Sequence, residues 1–344
     1  NKSLEDINVT ALTWGNTDSR DVVYSKEIAS RLGWKWKHYI VDSEKLKMNI
    51  YETANYGCEY SPIHLHAIPQ IRDDNYFDVI LAGSYGDSVG RAEYSGKKVT
   101  KLSSINHLMW NVSNIVKKDV YKSVLNEIKN DVNSYHKLFP GKVKYMQNEI
   151  DYQLHYMRRM LNPCMELLVN RSEFHQVFTK PDVFGFMWSI DPTHRNDLVY
   201  KYMMTEFMAN LSDIPWSRTG LPFLEKNKTP DVYKKDHHSY VEIINNEILN
   251  EVEGMIFSGK LADLNIFNMD NIKQIIKLTS KHPLNNLYYG EKMMWLASLS
   301  IFVDKYDVQP HNLLSIRKYK SKSLKSKLRL LSEYYAVKTM SSIK

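Results

Sequence analysis

Asp87 is the carboxylate best placed in this chain to do chemistry. It ends the run Leu81-Ala82-Gly83-Ser84-Tyr85-Gly86-Asp87, which follows the apolar Phe77-Asp78-Val79-Ile80 and precedes Ser88-Val89-Gly90. A buried strand that breaks into a glycine-rich turn suits an anion, because glycine lets backbone N–H groups approach it closely. An aspartate beside such a turn can hold Mg2+ on phosphate oxygens. Ser84 can donate to a phosphate or substrate oxygen, but it does not replace a carboxylate as a base. The competing reading is steric: many strand-to-helix turns are rich in glycine for backbone reasons alone.

A second turn adds to the first. Val9 to Asp21 reads as a short strand, a turn at Trp14-Gly15 and the start of a helix capped by Asp18 or Ser19. That helix carries Val22, Ile28, Ala29 and Leu32 and stops at Gly33. A second strand spans Trp36 to Val41, and Asp42 or Ser43 caps the next helix. The alternation of strand and helix predicts an α/β fold. Strands near 8–14, 36–41 and 77–83 are expected to be parallel neighbours in one sheet with helices on both faces. Strands in separate or antiparallel sheets would overturn both that fold and the family reading below. Ligands bind such sheets at the carboxyl ends of the strands, where both glycine turns fall.

These segments, in their order, resemble the asparagine synthetase domain of the adenine-nucleotide alpha-hydrolase group. Gly15 to Gly33 (GNTDSRDVVYSKEIASRLG) is similar to the family's second strand-turn-helix, and Leu81 to Gly90 to its Leu-Ser-Gly-Glu-Gly-x-Asp-Glu motif. Ser189 to Arg195 (SIDPTHR) resembles Ser-Leu-Pro-x-x-x-Arg, and Ile214 to Phe223 (IPWSRTGLPF) resembles Ile-Pro-x-x-x-Arg-x-Gly-x-Pro. The resemblance covers about residues 8 to 225. It implies ATP and Mg2+ as cofactors, with Trp14, Gly15, Gly83, Gly86 and Asp87 binding the nucleotide and Asp87 the metal. It also leaves room for a glutaminase domain N-terminal to this segment.

The departures narrow the chemistry. The family's pyrophosphate loop, Ser-Gly-Gly-x-Asp-Ser, would precede this sequence, which we read as a fragment beginning after it. Ala82 and Ser84 replace the family's serine and glutamate, and Ser88 its second acidic residue. Arg218-Thr219 stands where a lysine is expected. Ser84 and Arg218 therefore become the candidate catalytic positions, and plain aspartate amidation is disfavoured. Arg195 and Arg218 each follow a proline turn, and either can hold phosphate or carboxylate in a bidentate fork.

Composition sets outer bounds. At 344 residues and 43% hydrophobic the chain can bury a large core. It has no run of eighteen apolar residues, so no membrane span is expected. Cys58 and Cys164 lack metal or redox spacing and read as buried thiols of a reducing, cytoplasmic compartment. The net charge is +7, with nine Lys or Arg against Glu333 alone between Arg317 and Lys344. Without interleaved aromatics this reads as a solvated helix face rather than a nucleic-acid contact.

Past residue 100 the pattern is helical. Helices are expected over Lys118 to Leu138, Met146 to Leu161, Asp197 to Leu211, Ser239 to Ile256, Met269 to Leu278 and Gly290 to Tyr306. We divide the chain into an asparagine-synthetase-like part at 1–225 (α/β core 1–100, helical part 100–225) and a helical extension at 226–344. His64 and His66 lack a third ligand at suitable spacing, and His237-His238 reads as an exposed polar loop. Arg158 and Arg159 read as surface residues as readily as phosphate ligands. The function expected is an ATP-dependent amide-forming ligase. It would adenylate a small-molecule, glycan or peptide carboxylate and release AMP and pyrophosphate. The rival is a catalytically degenerate binding or scaffolding module.

Overall fold

The computed structural model describes residues 7–74, 77–86, 96–105, 111–138, 143–222, 230–310 and 324–342. It opens with β1 (Thr10–Trp14), α1 (Arg20–Arg31), β2 (Lys35–Tyr39), α2 (Ser43–Asn55), α3 (Ile68–Asp74) and β3 (Val79–Ala82). Helices α4 (Lys118–Leu138), α5 (Lys144–Asp151) and α6 (Arg158–Val169) follow, with a π turn over Tyr152–Met157 between the last two. Strand β4 (Glu173–Gln176) precedes α7 (Pro181–Ser189) and α8 (Leu198–Glu206). The C-terminal third holds α9 (Tyr240–Ile243), α10 (Leu249–Ser258), α11 (Met269–Lys281), α12 (Tyr288–Lys305) and α13 (Leu324–Ser342).

The α/β character is present, but the chain is mostly helical and the single three-stranded sheet does not form among the described residues. β1 pairs in parallel with β2, from Thr10 opposite Lys35 to Trp14 opposite Tyr39. β3 pairs instead with β4, from Val79 opposite Glu173 to Ala82 opposite Gln176. β4 is a four-residue strand that the sequence did not reveal. Its residues, Glu-Phe-His-Gln, carry one apolar side chain, and only the ladder to β3 makes them extended.

Local chemistry accounts for the helix ends. Asp42 caps α2 by accepting the Lys45 N–H at 2.9 Å. Gly33 closes α1 at φ +66°, a left-handed conformation that suits glycine. Ser19 stands at the N-cap of α1, yet its hydroxyl is buried without a partner. No helix among the described residues is long and apolar enough to cross a membrane.

Described residues on both sides of position 225 share a core cluster. Leu46 and Ile50 of α2, Val252 and Ile256 of α10, Ile272 and Ile275 of α11 and Leu296 of α12 are fully buried in one shared core. Helix α12 lies against α2, and its Trp295 indole donates to the Cys58 carbonyl at 2.8 Å. Burial pushes the thiols of Cys58 up to about 11 and Cys164 up to about 12. Both are therefore protonated, inert packing groups at neutral pH.

Candidate functional site at the strand ends

Chain direction places both glycine turns at carboxyl ends of parallel strands, Gly15 after β1 and Gly83 after β3. Gly15 has φ +133°, and a Cβ there would overlap the His237 carbonyl. That carbonyl belongs to a strap, residues 231–239, laid across the turn. Its His237 carbonyl accepts the Asn16 N–H at 2.7 Å, and its Lys234 carbonyl accepts the Arg20 N–H at 2.9 Å. Ser239 bonds the Asn16 side chain at 3.0 Å. Asp231 anchors the strap by accepting from Arg20 Nε at 3.0 Å and from the Tyr24 hydroxyl. The Gly15 N–H goes to the Tyr39 carbonyl, and the Gly15 carbonyl lies 2.8 Å from His38 Nε2. In this arrangement the backbone groups at Trp14-Gly15 are engaged within the chain, and a nucleotide there must displace the strap.

The strap also gathers histidines that the sequence keeps 170 residues apart. The His66 ring stacks on Trp14 at 5.5 Å and lies within 6.5 Å of the rings of His64, His237, His238 and Tyr240. His66 Nδ1 sits 3.0 Å from the Tyr240 hydroxyl, and His64 Nε2 sits 3.2 Å from Glu291. Burial, then the neighbouring imidazoles, lowers His66 to about 3. Burial, then His237, lowers His238 to about 4. Within the cluster, His66 and His238 are neutral at pH 7 and pack as aromatic rings. No group of three His, Cys, Asp or Glu among the described residues has metal-holding geometry. The expected exposed loop at His237-His238 is thus half-buried, because His66 and Tyr240 provide a face for it.

At the second turn, Gly83 has nothing within 4 Å of where a Cβ would be, leaving room beside its backbone. Ser84 is half-buried, and Tyr85 is buried in the left-handed region at φ +69°. Gly86 packs against Phe178, and its carbonyl accepts from the Tyr200 hydroxyl of α8 at 2.8 Å. Asp87, the expected metal ligand, lies outside the described residues. The side chains of Arg158 and Arg159 lie outside them as well.

The two arginines part company. Arg195 is buried and paired with buried Glu149 of α5, and its Nε donates to the Ile190 carbonyl at 2.9 Å. It fastens the Ser189–Arg195 turn to α5 and is not presented to a ligand. Arg218 is exposed and lies 5.6 Å from the Trp216 ring centre. Its turn closes at Gly220, φ +70°, where the Arg20 guanidinium fills the space a Cβ would need. Arg20 also reaches the Ser217 carbonyl at 3.4 Å, and Leu211 and Ile214 pack on Tyr24 of α1. The Ile214 motif thus abuts the Gly15 motif, and α8 abuts the Gly83 turn.

The sequence reading missed an open pocket of about 420 Å³ beside Tyr85, with Glu166 among its lining residues. Its walls include Gln153 of the π turn and Gln176 at the end of β4. With the geometry described, comparison with protein-family models, curated proteins and solved structures finds no match to this chain.

Proposed function

We propose that this chain is part of an ATP-dependent amide-forming ligase of the asparagine-synthetase type. It would adenylate a small-molecule, glycan or peptide carboxylate, and an amine or ammonia would then displace AMP. One observation carries the reading. The Ile214–Leu221 motif lies against α1 of the Gly15 motif, and Tyr200 of α8, outside the four motifs, bonds the Gly86 carbonyl of the Gly83 turn. Gly83, Gly86 and Asp87 would hold the phosphates, and Mg2+ at Asp87 would neutralise their charge. Ser84 would donate to a phosphate or substrate oxygen, and exposed Arg218 would meet the anion from its own turn.

β3 stands in a sheet apart from β1 and β2 among the described residues, the outcome named above as overturning the one-sheet fold and the family reading, so the ligase proposal rests on the motif segments alone. The strap over Gly15 and the burial of Arg195 favour the second reading, a degenerate binding module.

Pyrophosphate release from Mg-ATP, measured across a panel of carboxylates with ammonia, separates the two. We expect release with an acceptor other than aspartate, and its loss in Asp87→Ala with the helical circular dichroism unchanged. With aspartate we expect little asparagine, because each of the two replaced charged positions costs several kcal/mol, roughly 3–4, of transition-state stabilisation. No release with any acceptor favours the binding module. Aspartate turnover of about 1 per second or faster shows that the reading of Ser84 and Arg218 is wrong.

A further inference from the structure

The positive charge of this chain is gathered at one end. From Arg317 to Lys344 nine Lys or Arg stand against Glu333 alone, more than the +7 of the whole chain, so everything before Arg317 is close to neutral. Helix α13 carries Lys325, Lys327, Arg329 and Lys338 of that set. It packs on α11, and its Tyr334 hydroxyl donates to the His282 carbonyl at 2.8 Å. Helix α11 adds a basic face of its own. Lys273, Lys277 and Lys281 are exposed at intervals of four, so they lie along one side of the helix. Like charges at that spacing repel, and the one acid in α11, Asp270, sits in its first turn.

The apolar side chains narrow the kind of anion. Leu330 and Tyr334 of α13 are buried in the core, yet Leu328, Tyr335 and Met340 are 57%, 44% and 63% exposed. Leu328 and Tyr335, two turns apart, share the outer face of the helix. The exposed Tyr335 and His282 have ring centres 6.0 Å apart, so the outer surfaces of α13 and α11 meet there. Lysines beside exposed Leu, Tyr and Met match an anionic lipid surface. The ammonium groups meet the headgroup anions, and the apolar side chains enter the boundary between headgroups and acyl chains. A nucleic acid calls instead for arginine forks or stacked aromatics, and the exposed groups here are chiefly lysines and aliphatic side chains.

We propose that the outer faces of α11 and α13 form a docking surface for a membrane leaflet rich in anionic lipid. The contact is peripheral and reversible: charge draws the face to the leaflet, and Leu328, Tyr335 and Met340 hold it there. The proposal uses neither glycine turn and does not rest on the ligase reading.

The test is co-sedimentation of the whole chain with phosphatidylcholine vesicles, with and without phosphatidylserine, at low and high salt. Binding is expected only with phosphatidylserine present. It should weaken roughly tenfold or more at about 1 M salt, where the Debye length falls to about 3 Å. Lys273→Glu, Lys277→Glu and Lys281→Glu together should also weaken it roughly tenfold or more. Leu328→Ser with Met340→Ser should weaken it roughly threefold and leave the salt dependence unchanged. All five positions are exposed, so the helical circular dichroism should stay as it is. No sedimentation with phosphatidylserine vesicles overturns the proposal. So does equal binding to phosphatidylcholine alone, or undiminished binding in the lysine variant. Tighter binding to an unstructured RNA oligonucleotide than to the vesicles, at matched phosphate concentration, overturns it in favour of nucleic acid. The lipid and salt comparisons need no altered protein, so misfolding of a variant leaves the test intact.

Discussion

At the scale of residues, the histidine cluster couples folding to pH. His66 faces Trp14, His64, His237, His238 and Tyr240, and His238 also feels Asp236 and Glu242. Both imidazoles titrate near 6.5 in the unfolded chain and near 3 and 4 in the folded one. Between those values the unfolded state binds more protons, so stability is full above about pH 6.5 and declines as the pH falls toward 4. Each histidine adds at most about 1.4 kcal/mol per pH unit to that slope. Urea unfolding at several pH values, compared between the native chain and His66→Phe, should show a shallower acid decline in the variant. Identical slopes would mean that the cluster does not titrate on unfolding. None of this was readable from the chain: His64 and His66 were visible as a pair, but nothing local announces that residues 237 and 238 fold back over them.

At the scale of elements, Asp231 is one of several anchors of the strap, beside the bonds to Asn16, Asp18 and Arg20. Asp231→Ala removes the partner of the Arg20 guanidinium and of the Tyr24 hydroxyl, leaving two polar groups short of bonds. A loss of roughly 1–3 kcal/mol is expected, together with faster amide exchange at Asn16 and Arg20, whose N–H groups the strap covers. Hydrogen exchange that stays unchanged at those two amides would show that the strap is held by its backbone alone. The elements also show what a linear pattern can carry. Helix α4 occupies Lys118–Leu138, as the spacing of Val120, Val124, Ile128 and Val132 predicts. β1 and β2 were legible as short strands bounded by turn residues. β4 escaped because its four residues have no periodicity of their own, so the split into two sheets escaped with it. The pocket beside Tyr85 escaped for a related reason: its lining includes Gln153 and Gln176, and only the folded β4 brings Gln176 to it.

For the whole molecule, the core shared by α2, α10, α11 and α12 predicts that the chain unfolds as one cooperative unit. Leu296→Ala in α12 empties a fully buried position in the cluster that also holds α2. It should cost about 2–5 kcal/mol. Helical circular dichroism and tryptophan fluorescence should shift together to a lower midpoint. Two separate transitions would restore the division of the chain near residue 225. The basic balance of +7 bears on solubility and encounter rather than on this core.

The strap has a consequence for the order of events during synthesis. Asn16 meets Ser239 across 223 positions of sequence. On a ribosome adding about 5–20 residues per second, roughly 10–45 s separate the appearance of the first turn from that of its latch. Throughout that interval the Asn16 and Arg20 amides lack their strap partners. The nascent chain therefore passes through a stage in which the end of β1 is uncovered, and a ligand or chaperone able to occupy it then would compete with the chain's own last third.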